Sequence, residues 1–162
     1  MIYLMNELIL SRHSWLISVA VTVVNALIFK FRSIGYIREH PALASGYRRL
    51  FWGYLLWTIL PWLIIGFGIE IGGVPDILSY LRPSEGNPFV IAFFAVIFVL
   101  WIFGGYWLFA RRGAEFLSEH PGWLRPPPKD PLMIKGLYCL MVTVGVIAMV
   151  LMFSGIIGPI GR

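Results

Sequence analysis

The chain is predicted to be an all-α integral membrane protein, with four transmembrane helices arranged as two tandem-repeated helical hairpins. Three observations carry that reading. Composition is the first: 59% of residues are hydrophobic and 13% charged, with a mean hydropathy of +0.80, far from the balance of a soluble domain. The second is four apolar runs, at Trp15–Phe31, Phe51–Ile69, Pro88–Ala110 and Gly136–Ile157. Each suits a bilayer core about 30 Å thick, which takes roughly 20 helical residues to cross. They are too long for strands, and they lack the alternation of a membrane barrel strand. The third is the placement of positive charge.

Basic residues cluster in two connections. The first-to-second loop holds Lys30, Arg32, Arg38, Arg48 and Arg49, and the third-to-fourth holds Arg111, Arg112, Arg125, Lys129 and Lys135. That is ten of the thirteen Lys and Arg residues, which predicts loops 32–49 and 111–135 in the cytoplasm and both termini outside. The expected home is a bacterial cytoplasmic membrane or an equivalent energy-transducing one. The net charge of +5 reads as a topology signal with attraction to anionic lipid headgroups. It calls for no nucleic acid.

Taken in order, the start "MIYLMNELILSRHSW" has neither a basic leader nor a small-residue cleavage site, so the first helix is expected to be retained. Its segment "IYLMNELIL" is expected to lie along the membrane surface. In the first span, Ser18, Thr22 and Asn25 point in similar directions, and that face is expected to meet protein, since a deep amide is costly to leave unpaired. In the second span Pro61 follows Thr58 and predicts a kink with a freed carbonyl. The outer loop is expected to hold a short apolar turn of Ile77, Leu78 and Leu81. The third span carries Gly104 and Gly105, the end of the second carries Gly68 and Gly72, and the fourth carries Gly145; all are sites for close approach, within the chain or between copies. Trp57, Trp62 and Trp101 lie deeper than the interfacial belt and need large surfaces to pack on. Before the fourth span, "RPPPKDP" predicts an extended, stiff connection.

The tripeptide EHP occurs twice, eighty residues apart, each time after an apolar run ending in basic residues. Phe29, Arg32, Tyr36 and Ile37 match Phe109, Arg112, Phe116 and Leu117, and Glu39-His40-Pro41 matches Glu119-His120-Pro121. Downstream, Gly53 meets Gly136 once the extra residues around the triple proline are absorbed. This predicts one membrane domain over 1–162, with repeat units at approximately 14–73 and 88–157. In each copy Arg, aromatic and Glu recur at i, i+4 and i+7, so the helix is expected to continue past the membrane as one striped extension that ends at EHP. Proline disfavours helix at the preceding histidine and opens a new turn.

Candidate functional residues come from this repeat. His40 and His120 either close the helix through a last-turn carbonyl or hold a haem, a pigment or a quinone; nothing in the sequence requires a cofactor. Arg32 and Arg112 either anchor helix ends, pairing with Glu39 and Glu119, or grip a lipid or other anion between the hairpins. Apart from Lys30 at the very end of the first, the four runs contain no Asp, Glu, His, Lys or Arg, which argues against a proton-coupled path. Cys139 is the lone cysteine and reads as packing. With three histidines and no spaced ligand pair, no metal centre is expected. No nucleotide loop, nucleophile elbow or paired carboxylates occur, so no catalytic residues and no enzyme are expected. The expected function is a noncatalytic accessory or scaffolding subunit that associates laterally with other membrane subunits or with itself. The alternatives are a haem-, pigment- or quinone-binding subunit that uses the EHP histidines, and a small carrier or channel.

Overall fold

A computed structural model describes residues 2–124, 127, 128 and 130–155. Among them every regular element is helical: α1 Ile2–Glu39, α2 Ala44–Glu70, α3 Pro88–Ala110, α4 Gly113–Glu119 and α5 Pro131–Phe153. Short 3-10 turns sit at Pro41–Leu43, Ile77–Leu81 and Pro83–Glu85. Arg12–Glu39, Pro41–Glu70, Pro88–Ala110 and Pro131–Phe153 are each long and apolar enough to cross a membrane. Part of the proline-rich connection (Arg125, Pro126 and Lys129) and the chain after 155 lie outside the described residues.

The N-terminal segment does not turn onto the surface; it continues α1 as one helix of 38 residues. No glycine or proline occurs before Gly35 to interrupt it. At its other end α1 stops at Glu39, where Pro41 predicts the stop. The His40 amide closes the last turn on the Tyr36 carbonyl at 2.9 Å, and Pro41 opens the 3-10 turn that leads into α2. The 28 residues of Arg12–Glu39 extend about 42 Å. That is longer than a hydrocarbon core of about 30 Å.

The second EHP copy departs from the expected continuous extension. α3 ends at Ala110, Arg112 takes a left-handed backbone (φ 57°, ψ 30°), and α4 starts afresh at Gly113. One of the differences between the copies lies at the break itself. Gly113 stands where the first copy has Ser33, a buried residue whose hydroxyl donates to the Lys30 carbonyl at 2.7 Å. At Gly113 the Trp107 ring fills the space instead, and a Cβ there would lie 2.5 Å from it. The left-handed step costs on the order of 1–2 kcal/mol for a residue with a side chain. The corners themselves are alike, with φ −134° and ψ 81° at His40 and φ −117° and ψ 74° at His120.

α5 begins at Pro131, five residues before the apolar run, because Asp130 caps it: the Asp130 carboxylate accepts from the Leu132 amide at 2.8 Å and proline suits the first helical position. Asn87 caps α3 in the same way through the Phe89 amide. α2 remains helical through Pro61, which has no N–H to offer the Trp57 carbonyl. One turn earlier, the Thr58 hydroxyl donates to the Tyr54 carbonyl at 2.6 Å.

α1 packs most extensively on α2, α2 packs on α3, and α5 packs on α3 and α4. The end that carries the α1–α2 and α3–α5 connections is termed the basic end. At the opposite end Ile65, Ile69, Val74, Tyr80, Val90 and Phe94 form the larger core cluster. Tyr80, on the turn after Asp76, reaches into α2 and donates to the Ile64 and Ile65 carbonyls at 3.3 and 3.2 Å. Burial raises its phenol pKa and keeps it a donor. Glu70 ties α2 to Arg12 at 3.8 Å and to His13 at 3.5 Å. The small residues singled out above are spent within the chain: Gly68 receives Tyr80, Gly72 receives Phe89, and Gly145 receives Trp101.

Candidate functional site

The two EHP corners meet different fates at the basic end. His40 is exposed and has no side-chain partner among the described residues. His120 is 4% exposed, with Nδ1 2.8 Å from the Phe116 carbonyl, a last-turn contact in which the ring N–H donates. Its ring lies against Phe116 (4.2 Å between centroids) and edge-on to Tyr47 (5.1 Å). The Nε2 edge faces Gly46 so closely that a Cβ there would lie 1.9 Å from it. Tyr47, next in the chain, donates its hydroxyl to the Pro121 carbonyl at 2.9 Å. Gly122 sits against Tyr36 of α1. The second corner is thereby clasped onto the start of α2, joining the hairpins. The two histidines occupy unlike environments and do not form a facing pair.

The expected ion pairs of the repeat are absent. Glu39 and Glu119 are exposed, and neither pairs with Arg32 or Arg112 among the described residues. Seven residues along a helix is about 10 Å, a poor span for two side chains that are both free to reach water. Glu115 takes the role instead, accepting from Lys135 at 3.0 Å and bracing α4 against α5. Hydrogen bonds from its own backbone amide and from Lys135, with Arg112 nearby, hold its carboxyl below the ordinary value. A depressed folded pKa means that this brace is fully present above the ordinary carboxylate pKa and is lost as pH falls through the lower, folded value. Protection of the 113–119 amides, relative to their intrinsic exchange rates, is therefore expected to persist at neutral pH and to fall only in acid. Glu115→Gln is expected to remove that acid step. An unchanged acid step in the variant would assign it to another group.

Beneath the clasp a cavity of about 820 Å³ opens between the hairpins, within the range of small-molecule sites. Three arginines from three elements share its wall: Arg32 near the end of α1, Arg49 in the first turns of α2, and Arg111 at the end of α3. No carboxylate lines it, and none of the three forms an ion pair among the described residues. Arginine stays charged under any physiological condition. The remaining wall is largely aromatic and aliphatic, including Tyr54, Trp57, Trp107 and Phe116, with Asn25 and Thr58 deeper. The expectation that the Asn25 face meets protein is corrected in part: Thr22 is buried, but Asn25 is exposed and lines the cavity.

Arg32 thus lies on the site and Arg112 does not, being exposed at the break before α4. Arg49, Arg111, Gly46 and Tyr47 were not singled out as site residues. The only sequence signal for the first two was their charge, which topology already explained. Among the described residues no group of three or more His, Cys, Asp or Glu is placed to hold a metal. No family model, no curated protein and no solved structure matches the chain.

Proposed function

We propose that this chain is a noncatalytic integral-membrane binding protein that holds an anionic amphiphile in the cavity between its hairpins. The observation that carries the reading is the convergence of Arg32, Arg49 and Arg111 on one wall that has no carboxylate and an apolar body. Positive charge is expected at a membrane interface anyway; three guanidinium groups lining one concave wall are not. An acid head would sit among them through charge-assisted hydrogen bonds, and an acyl or ring body would lie along the aromatic wall. The charge bias supports a cytoplasmic basic end, in which case the head would lie at the inner leaflet. The similar backbone at His40 and His120 supports reading the hairpins as a duplication.

Stearate and its neutral analogue stearyl alcohol, competed against each other in zwitterionic nanodiscs, test this. Stearate is expected to bind at least tenfold more tightly, and Arg49→Gln with Arg111→Gln is expected to erase the difference, since a hydrogen bond to a charged group contributes about 1.5–3 kcal/mol. Equal binding of acid and alcohol by the unaltered protein would sink the reading.

A second reading, an accessory subunit that acts by lateral association, draws on a different surface. Trp52, Leu55, Leu56, Leu60 and Leu63 of α2 and Leu100 of α3 line an apolar groove, and the most apolar stretch of α5 has no buried residue. Native mass spectrometry on protein released from its own membrane would then show added polypeptide mass. A bare monomer would count against it.

A further inference from the structure

We infer that the ligand carries a second polar group, a hydroxyl or carbonyl near the middle of an otherwise apolar chain, and that Asn25 recognises it. The inference rests on the binding reading above and narrows its ligand class. Asn25 lines the cavity and is exposed to it, and its amide has no partner among the described residues. It lies in the middle of the apolar stretch of α1, where an unsatisfied amide in hydrocarbon is costly. Two other polar side chains on the wall already donate within the chain: the Thr58 hydroxyl to the Tyr54 carbonyl, and the Tyr138 hydroxyl to the Trp101 carbonyl.

Depth supplies the spacing. Asn25 precedes Arg32 by seven residues on one uninterrupted helix, which sets it about 10 Å further into the membrane. Thr58 lies nine residues beyond Arg49 on α2, about 13 Å, and therefore at a similar level. The cavity thus offers a cationic rim, an apolar shaft and a polar patch about 10 Å down. A plain acyl acid would satisfy the rim and leave the amide bare. A mid-chain hydroxyl can donate to the Asn25 carbonyl oxygen and accept from its NH₂ group.

Three probes of equal chain length separate the possibilities: stearate, 2-hydroxystearate and 10-hydroxystearate, competed in zwitterionic nanodiscs. The expected order places 10-hydroxystearate roughly three- to tenfold ahead, the yield of one or two added hydrogen bonds, with the other two alike. Asn25→Leu is expected to erase the preference for 10-hydroxystearate over stearate, so that the two bind the variant alike. If 10-hydroxystearate and stearate bind the unaltered protein equally, this inference fails and the acid-binding reading survives. If none of the three binds, both fail. The isomer comparison needs no variant, so it stands even if Asn25→Leu does not fold.

Discussion

Gly46→Leu is expected to open the basic end of the molecule. Even a methyl group at this position would overlap the His120 ring, with Nε2 only 1.9 Å from the Cβ position. The ring cannot step aside cheaply, because Phe116 and Tyr47 hold its other sides and Nδ1 is bound to the Phe116 carbonyl. A leucine would push the second EHP corner off α2 and break the Tyr47 bond to Pro121 with it. Overpacking a filled site costs typically 1–3 kcal/mol, and losing the hydrogen bond adds about 1 kcal/mol. The expected readout is a lower melting temperature in detergent and fast amide exchange confined to 113–122. Tyr47→Phe, which removes only the hydrogen bond, should show the smaller part. A Gly46→Leu protein that melts like the parent would mean that the corner does not rest on α2.

Tyr80→Ala is expected to do comparable damage at the opposite end. Tyr80 is 4% exposed, packs edge-on to Phe93 and fills the notch that Gly68 leaves on α2. Deleting a buried aromatic ring costs about 3–5 kcal/mol where the surroundings cannot collapse. Here the wall behind it is helix backbone, which has little freedom to move. Tyr80→Phe keeps the ring and loses only the bonds to the Ile64 and Ile65 carbonyls, for about 0.5–1.5 kcal/mol. The ratio of the two losses, measured by reversible unfolding in detergent, separates packing from hydrogen bonding. Near-equal losses would show that the hydroxyl, and not the ring, holds the loop to α2.

The spans were legible because bilayer crossing imposes a length and a composition that a reader can count. α3 coincides with its apolar run, Pro88–Ala110, and Pro41 marked the end of α1 to the residue. The break at Arg112 was harder: the Arg112, Phe116 and Glu119 spacing suits a continuous helix, and only Gly113, against Ser33 in the first copy, hinted otherwise. The fates of His40 and His120 could not be read locally, since their flanking tripeptides are identical and the burial of one comes from Gly46, seventy-four residues away. The cavity was invisible for the same reason. Arg32, Arg49 and Arg111 lie on three helices, and each had an adequate local explanation as an anchor charge. Asn25 was flagged as too polar for its depth, but the sequence pattern could not distinguish a protein neighbour from an open space.

The clasp also has a consequence for biogenesis. Tyr47 is bonded to a carbonyl 74 residues further along the chain. At synthesis rates of roughly 5–20 residues per second, its acceptor emerges about 4–15 s later. For the last 51 of those 74 residues, from Glu70 to Pro121, α1 and α2 are complete but not yet fastened at this corner. α1 and α2, which share the largest contact in the molecule, must therefore persist as a pair before anything fastens them to α3 and α4. The nascent protein passes through a two-helix stage in which Asn25 is not yet enclosed, so a ligand of the class proposed above would meet its amide before closure.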